Sequence, residues 1–145
     1  MLNQIISQPL GLEKLRSLLP NGSKAVLYES LRNKTAQVFK NIDSLVVLYE
    51  TKIDNKKQGH YVVLTPRAHS LEYFSSLGGS PNSELDKLGE PHEIMKNILG
   101  NDYIYNSKPL QKGTYNINDC AIWILCRTFL KHLKLREFQN LFEDF

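Results

Sequence analysis

The feature that most restricts what this chain can fold into lies between residues 44 and 75, where three β-type segments follow one another. Ser44-Leu45-Val46-Val47-Leu48-Tyr49-Glu50 is apolar, β-branched and of strand length, which suits a central, buried strand. A polar turn, Asp54 to Gly59, precedes the alternating segment His60-Tyr61-Val62-Val63-Leu64. Pro66-Arg67-Ala68-His69 has the length of a hairpin loop and leads into Leu71-Glu72-Tyr73-Phe74-Ser75. Three successive strands of one antiparallel sheet are predicted.

The rest of the chain supplies helices to cover that sheet. Leu12, Leu15, Leu18 and Leu19 have helical spacing, stop at Pro20 and are followed by an Asn21-Gly22 turn, so a helix is predicted over about residues 11 to 19. Ala25 to Glu29 is a short β candidate. Gly78-Gly79-Ser80-Pro81 ends the sheet, and Asn82 or Ser83 is placed to cap a short helix through Leu88. Pro91 to Leu99, with Gly100 just beyond, reads as another helix, and Tyr103-Ile104-Tyr105 as a last strand. A long apolar helix is expected from Asp119 to Leu133, then an amphipathic stretch from Leu135 to Phe142. The expected fold is α+β: one domain over residues 1–145, with a mostly antiparallel central sheet flanked by helices.

Charge and composition exclude several classes. Eighteen Lys and Arg against fifteen Asp and Glu leave +3, without a basic cluster of the kind nucleic-acid binding requires. The N-terminal residues lack the basic start and apolar run of a secretory signal, and no apolar stretch is long enough to span a membrane, so a soluble intracellular protein is expected. Cys120 and Cys126 are six apart on one predicted helix, about 120° around its axis and about 9 Å along it, so both are expected as free thiols. The four histidines and two cysteines have no zinc-ligand spacing, and no metal or other cofactor is called for.

Cys120 stands in the first turn of the long helix, behind Asn118-Asp119. Unpaired backbone N–H groups and the helix dipole favour a thiolate there, although most lone cysteines are small core residues. Gln111, in the loop after Pro109-Leu110, could donate to an oxyanion near Cys120, and His60 at a strand end could act as base. If Thr65 pairs with Ser70, His60 faces Ser75, which makes Ser75 the residue placed to orient the imidazole, while Glu72 points to the other face of the sheet. Trp123 and Phe129 are expected in the core, His69, His92 and His132 on the surface, and Cys126 as a buried filler.

These residues fall in three blocks that resemble the adenovirus-type and ubiquitin-like-protein-processing cysteine proteases. Gly59-His60-Tyr61-Val62-Val63-Leu64 is similar to the Gly-His-Trp segment carrying that family's general base. Tyr73-Phe74-Ser75-Ser76-Leu77-Gly78 resembles its Phe-Asp-Ser-Tyr-Gly segment, which normally holds the acid. Asn106, Leu110-Gln111, Asn118-Asp119-Cys120-Ala121-Ile122-Trp123 and Arg127 resemble its Asn, Gln, Thr-Cys-Gly, Trp and Arg pattern. The resemblance implies Cys120 as nucleophile, His60 as base, Gln111 in the oxyanion hole and Ser75 at the acid position.

Two departures stand out, Ser75 for the family's Asp and Ala121 for its Gly. A hydroxyl stabilises an imidazolium less than a carboxylate does, so the expected alternatives are a dyad, helped by Glu50 or Asp119, or an impaired enzyme, and Ser75→Asp is expected to keep or raise activity. The function implied is a viral thiol endopeptidase that cleaves capsid or core precursor proteins during particle maturation, within infected cells and virions. The alternatives are a protease or isopeptidase for ubiquitin-like proteins and a catalytically weakened binding protein of the same fold. DNA contact, a cofactor role among adenoviral relatives, ranks last because the chain has no basic stripe.

Overall fold

The computed structural model describes residues 11–53, 56–110 and 117–142. The strands are β1 (Ser23–Leu27), β2 (Ser44–Ile53), β3 (Lys56–Pro66), β4 (Leu71–Phe74) and β5 (Tyr103–Tyr105). The helices are α1 (Leu12–Leu18), α2 (Pro81–Leu88), α3 (His92–Leu99), α4 (Ile117–Phe129) and α5 (Leu135–Leu141). Two short 3-10 turns, Tyr28–Leu31 and Ala36–Phe39, bridge β1 to β2. No helix among the described residues is long and apolar enough to cross a membrane.

The five strands form one sheet in sequence order. The β2–β3 and β3–β4 pairs are antiparallel as expected, but β1–β2 and β4–β5 run parallel, so the sheet is mixed. Both parallel pairs are joined by chain that leaves the sheet and returns, through the 3-10 turns and through α2 and α3, as parallel neighbours require.

The β3–β4 hairpin is tighter than the sequence suggests. Pro66 pairs with Leu71 and Thr65 with Glu72, and the turn closes through the Arg67 N–H donating to the Ser70 carbonyl at 2.9 Å. The expected Thr65–Ser70 pairing is therefore displaced by two residues. Because side chains alternate with a period of two, the displacement leaves every residue on its predicted face.

Alternation in β2 and β3 sends one set of side chains to each side. Leu45, Val47, Tyr49, Val62, Leu64 and Tyr73 meet α2 and α3 through Leu85, Leu88, Ile94, Met95, Ile98 and Leu99. Val46, Leu48, Tyr61, Val63 and Phe74 meet Leu15, Cys120, Ala121, Ile124, Leu135 and Phe138 from α1, α4 and α5. Burial on both faces explains why residues 44 to 49 are all buried and apolar but for Ser44. Trp123 is half-buried against Phe142, whereas Phe129, expected in the core, is 58% exposed where α4 ends.

The long helix ends at Phe129, four residues earlier than predicted, and a buried ion cluster fixes the turn that follows. Arg127 and Glu72 are both fully buried, with Arg127 Nε 3.0 Å from Oε2 and Nη2 2.9 Å from Oε1. Arg127 also donates to the carbonyls of Leu130 and Leu133, which turns the chain away from the helix. Glu72 thus points to the α4 face, as the strand alternation requires.

Candidate active site

Helix α2 is set by local chemistry. Pro81 occupies its first turn, Ser80 Oγ accepts the Ser83 N–H at 3.2 Å, and Gly89 ends it in the left-handed conformation at φ 69°. The cap is thus Ser80, not Asn82 or Ser83. The buried residues of the helix are Pro81, Glu84, Leu85 and Leu88, a stripe at helical spacing that carries Glu84 into the protein with the leucines.

His60 belongs to the β3 face that looks toward α2, beside its β2 partner Tyr49, whose ring stacks on the imidazole at 6.2 Å. Strand β4 pairs with β3 only as far as Val63–Phe74, so the His60 end of β3 lies beyond this ladder. There Cys120, on the first helical turn of α4, meets the ring from the other face.

His60 Nδ1 lies 2.9 Å from Cys120 Sγ, and Nε2 lies 2.9 Å from both Ser75 Oγ and Glu84 Oε2. The Ser75 hydroxyl donates to the same Glu84 oxygen at 2.5 Å, and the Tyr73 hydroxyl donates to Oε1 at 2.6 Å. The Tyr49 and Tyr73 hydroxyls are 3.0 Å apart. His60, Ser75 and Cys120 are fully buried, and Glu84 is 2% exposed.

Burial opposes a charge on His60, but hydrogen bonds and charge from Cys120 and Glu84 outweigh it and push the imidazole pKa up to about 9. Burial holds Tyr73 and Tyr49 well above the ordinary tyrosine value, so both remain protonated donors. The arrangement sets a thiol on one nitrogen of the ring and a carboxyl group on the other.

The sequence-predicted residues are therefore brought together in part. Cys120, His60 and Ser75 converge; Gln111 lies outside the described residues, as does the Asp119 side chain. Ser75 reaches the ring from just past β4 in the corrected register, and it does so beside a carboxylate the sequence reading missed. The signal for Glu84 was a charged residue on the apolar stripe Pro81, Leu85, Leu88. Glu50, the other acid considered, is exposed to solvent.

The segment that precedes Gln111 is clamped to the same corner. Asn106 accepts the Ser75 N–H at 3.0 Å and donates to the Ser75 carbonyl at 2.6 Å, and the Leu110 N–H donates to the Ser76 carbonyl at 2.7 Å. Gly78, at φ 67°, lies so close to the Lys108–Pro109 peptide that a Cβ would collide with its backbone. A cavity of about 1280 Å³ opens nearby between β5, α5 and the β3–β4 turn, lined by apolar groups such as Ile104 and Leu135 and by Lys108, Lys134 and Arg136. Neither His60, Cys120 nor Glu84 lines it.

Fold and site together define a mixed α+β protein with a buried thiol–imidazole–carboxylate set. The chain belongs to the family of the uncharacterized protein V9 of the Sputnik virophage, with 30% identity over 141 residues that cover 88% of this chain and 79% of V9. No family model matches the sequence. Among solved structures it is similar to the SUMO protease Ulp1 with its catalytic cysteine oxidized to a sulfinic acid, at 16% identity over 94% of this chain and 71% of that one, TM-score 0.37. It is also similar to the central domain of the uncharacterized Lpg1148 protein from Legionella pneumophila, at 11% identity over 94% and 86%, TM-score 0.47. The functional reading rests on the geometry of the site itself.

Proposed function

We propose that the protein is a viral thiol endopeptidase that cleaves polypeptide precursors during particle maturation, with Cys120 as nucleophile and His60 as base. The observation that carries this reading is the 2.9 Å approach of Cys120 Sγ to His60 Nδ1 while the other ring nitrogen rests on a carboxylate. The virophage relative supports the viral setting.

In this mechanism His60 Nδ1 takes the Cys120 proton, and the thiolate adds to the scissile carbonyl carbon. The Cys120 backbone N–H and Gln111 stabilise the oxyanion. Collapse breaks the C–N bond, and the amine leaves with the proton from Nδ1, giving a thioester on Cys120. Water, deprotonated by His60, then attacks the thioester, and Sγ departs to regenerate the starting pair.

A peptide library digested by the full chain and read by mass spectrometry tests the proposal. Cleavage is expected from the wild type and is expected to vanish in Cys120→Ala. Equal cleavage by Cys120→Ala, or none by a folded wild type, overturns the endopeptidase reading. Fusions ending in ubiquitin-like tails form a second arm, and efficient turnover of those with an uncut library would move the substrate to ubiquitin-like proteins.

A further inference from the structure

We propose that Glu84 is the positioning carboxylate of the Cys120–His60 pair, supplied by helix α2, with Tyr73 and Ser75 fixing its two oxygens. The inference rests on the thiol-peptidase reading of the same site and gives the carboxylate found there its role.

Three observations carry it. A carboxylate on Nε2 selects the tautomer whose Nδ1 lone pair faces the sulfur, which is the orientation a base for Cys120 needs. Glu84 is almost fully buried, yet no guanidinium or ammonium group pairs with it among the described residues, so the one cation available to it is the imidazolium. Its remaining contacts are the hydroxyls of Tyr73 and Ser75, one on each oxygen, which hold the carboxylate without neutralising it. Ser75 is thus a brace for the acid, and its nearness to Nε2 follows from sharing the Glu84 oxygen.

The readout is alkylation of Cys120 by iodoacetamide against pH, in the full chain carrying Cys126→Ser so that one thiol reports. Comparing the shape of the profiles, rather than absolute rates, removes the effect of access to a buried sulfur. Relative to its own rate at about pH 10, Glu84→Gln is expected to react about tenfold or more slowly than the parent near pH 6.5, a displacement of one pKa unit or more. Glu84→Asp, which keeps the charge, is expected to recover most of the neutral-pH rate. Superimposable profiles for Glu84→Gln and the parent overturn the proposal, as does Glu84→Asp behaving like Glu84→Gln.

If Glu84→Gln does not fold, the His60 ring is followed by NMR in the wild type and in Tyr73→Phe. Its midpoint, expected near 9 in the wild type, should move by about half a unit or more when one oxygen of Glu84 loses its donor. An unchanged midpoint counts against the assignment. His60→Ala separates the two levels: an alkylation profile unaltered by His60→Ala removes the peptidase reading, whereas one altered by His60→Ala and not by Glu84→Gln removes only this inference.

Discussion

The two faces of the sheet each bury a glutamate, and the two are held in opposite ways. On the α4 face Glu72 accepts both Nε and Nη2 of Arg127, and Arg67 adds two further bonds to Oε1, at 3.1 and 3.0 Å. Arginines stay charged at any working pH, so this carboxylate is locked by cations that cannot let go. On the α2 face Glu84 has two neutral hydroxyls and one imidazole. That ring can gain or lose a proton, so this carboxylate belongs to a set whose charge can move. A buried carboxylate is structural or chemical according to whether its partners titrate.

The largest effect is expected where the permanent charges are broken. Arg127→Ala leaves Glu72 buried with Arg67 as its remaining cation and frees the carbonyls of Leu130 and Leu133, for a loss of about 3–5 kcal/mol. Urea unfolding at neutral pH measures it. Replacing both partners, as Arg127→Met with Glu72→Met, should recover much of that loss, because no unpaired charge then remains. Glu84→Gln is expected to cost well under half as much, because its amide can still meet Tyr73 and Ser75. Equal losses for Arg127→Ala and Glu84→Gln would break the contrast between the two faces.

Ser75→Asp comes next. The family resemblance alone predicts that an acid at position 75 keeps or raises activity, but the hydroxyl it replaces donates to Glu84 at 2.5 Å. Two carboxylates cannot both be charged so close together. A loss of about 1–3 kcal/mol is expected at pH 8, in the usual range for a badly placed buried charge. Stability relative to wild type should improve as pH falls and the pair takes up a proton. A variant as stable as wild type at pH 8 would show that α2 can move Glu84 aside.

The fold was legible because its signals are local. Alternation in His60 to Leu64, Pro91 at a helix start and the run at Ser44 to Glu50 each report their own surroundings. Cys120 and His60, which the structure brings to 2.9 Å of one another, were legible as candidates because both stand beside recognisable neighbours, Asp119 and Gly59. Glu84 was not, because whether a helical acid faces solvent or another strand depends on how α2 docks, a long-range fact. The hairpin register was missed for a similar reason, since Pro66 donates no N–H and yet continues the strand, which makes the loop look longer than it is. Phe129 was read as core because the helix was extended past the point where Arg127 turns the chain.

Wild-type stability should also depend on pH from the α2 face alone. The His60 pKa is raised in the folded protein from 6.5 to about 9, so the stabilisation it brings is complete below about 6.5 and is lost as pH rises through about 9. In the mechanism proposed above, hydrolysis should fall along the same basic limb, because there the amine leaves with the His60 proton. Urea midpoints measured from pH 6 to pH 10 should therefore decline more steeply in the wild type than in His60→Gln. Parallel curves would mean that the ring does not carry its charge in the folded protein.

The smallest effect should mark where the movable charge ends. Tyr49 meets Tyr73 through its hydroxyl and makes no hydrogen bond to Glu84 among the described residues, and the Tyr73 bond to Oε1 survives its removal. Tyr49→Phe should therefore cost only about 0.5–1.5 kcal/mol, the usual net value of a hydrogen bond, and leave the Cys120 alkylation profile where it was. Tyr73→Phe removes a donor from the carboxylate itself and should shift that profile. If Tyr49→Phe shifts it as far as Tyr73→Phe does, the two tyrosines act as one polarised chain, and the chemical side of the sheet extends one strand further, into β2.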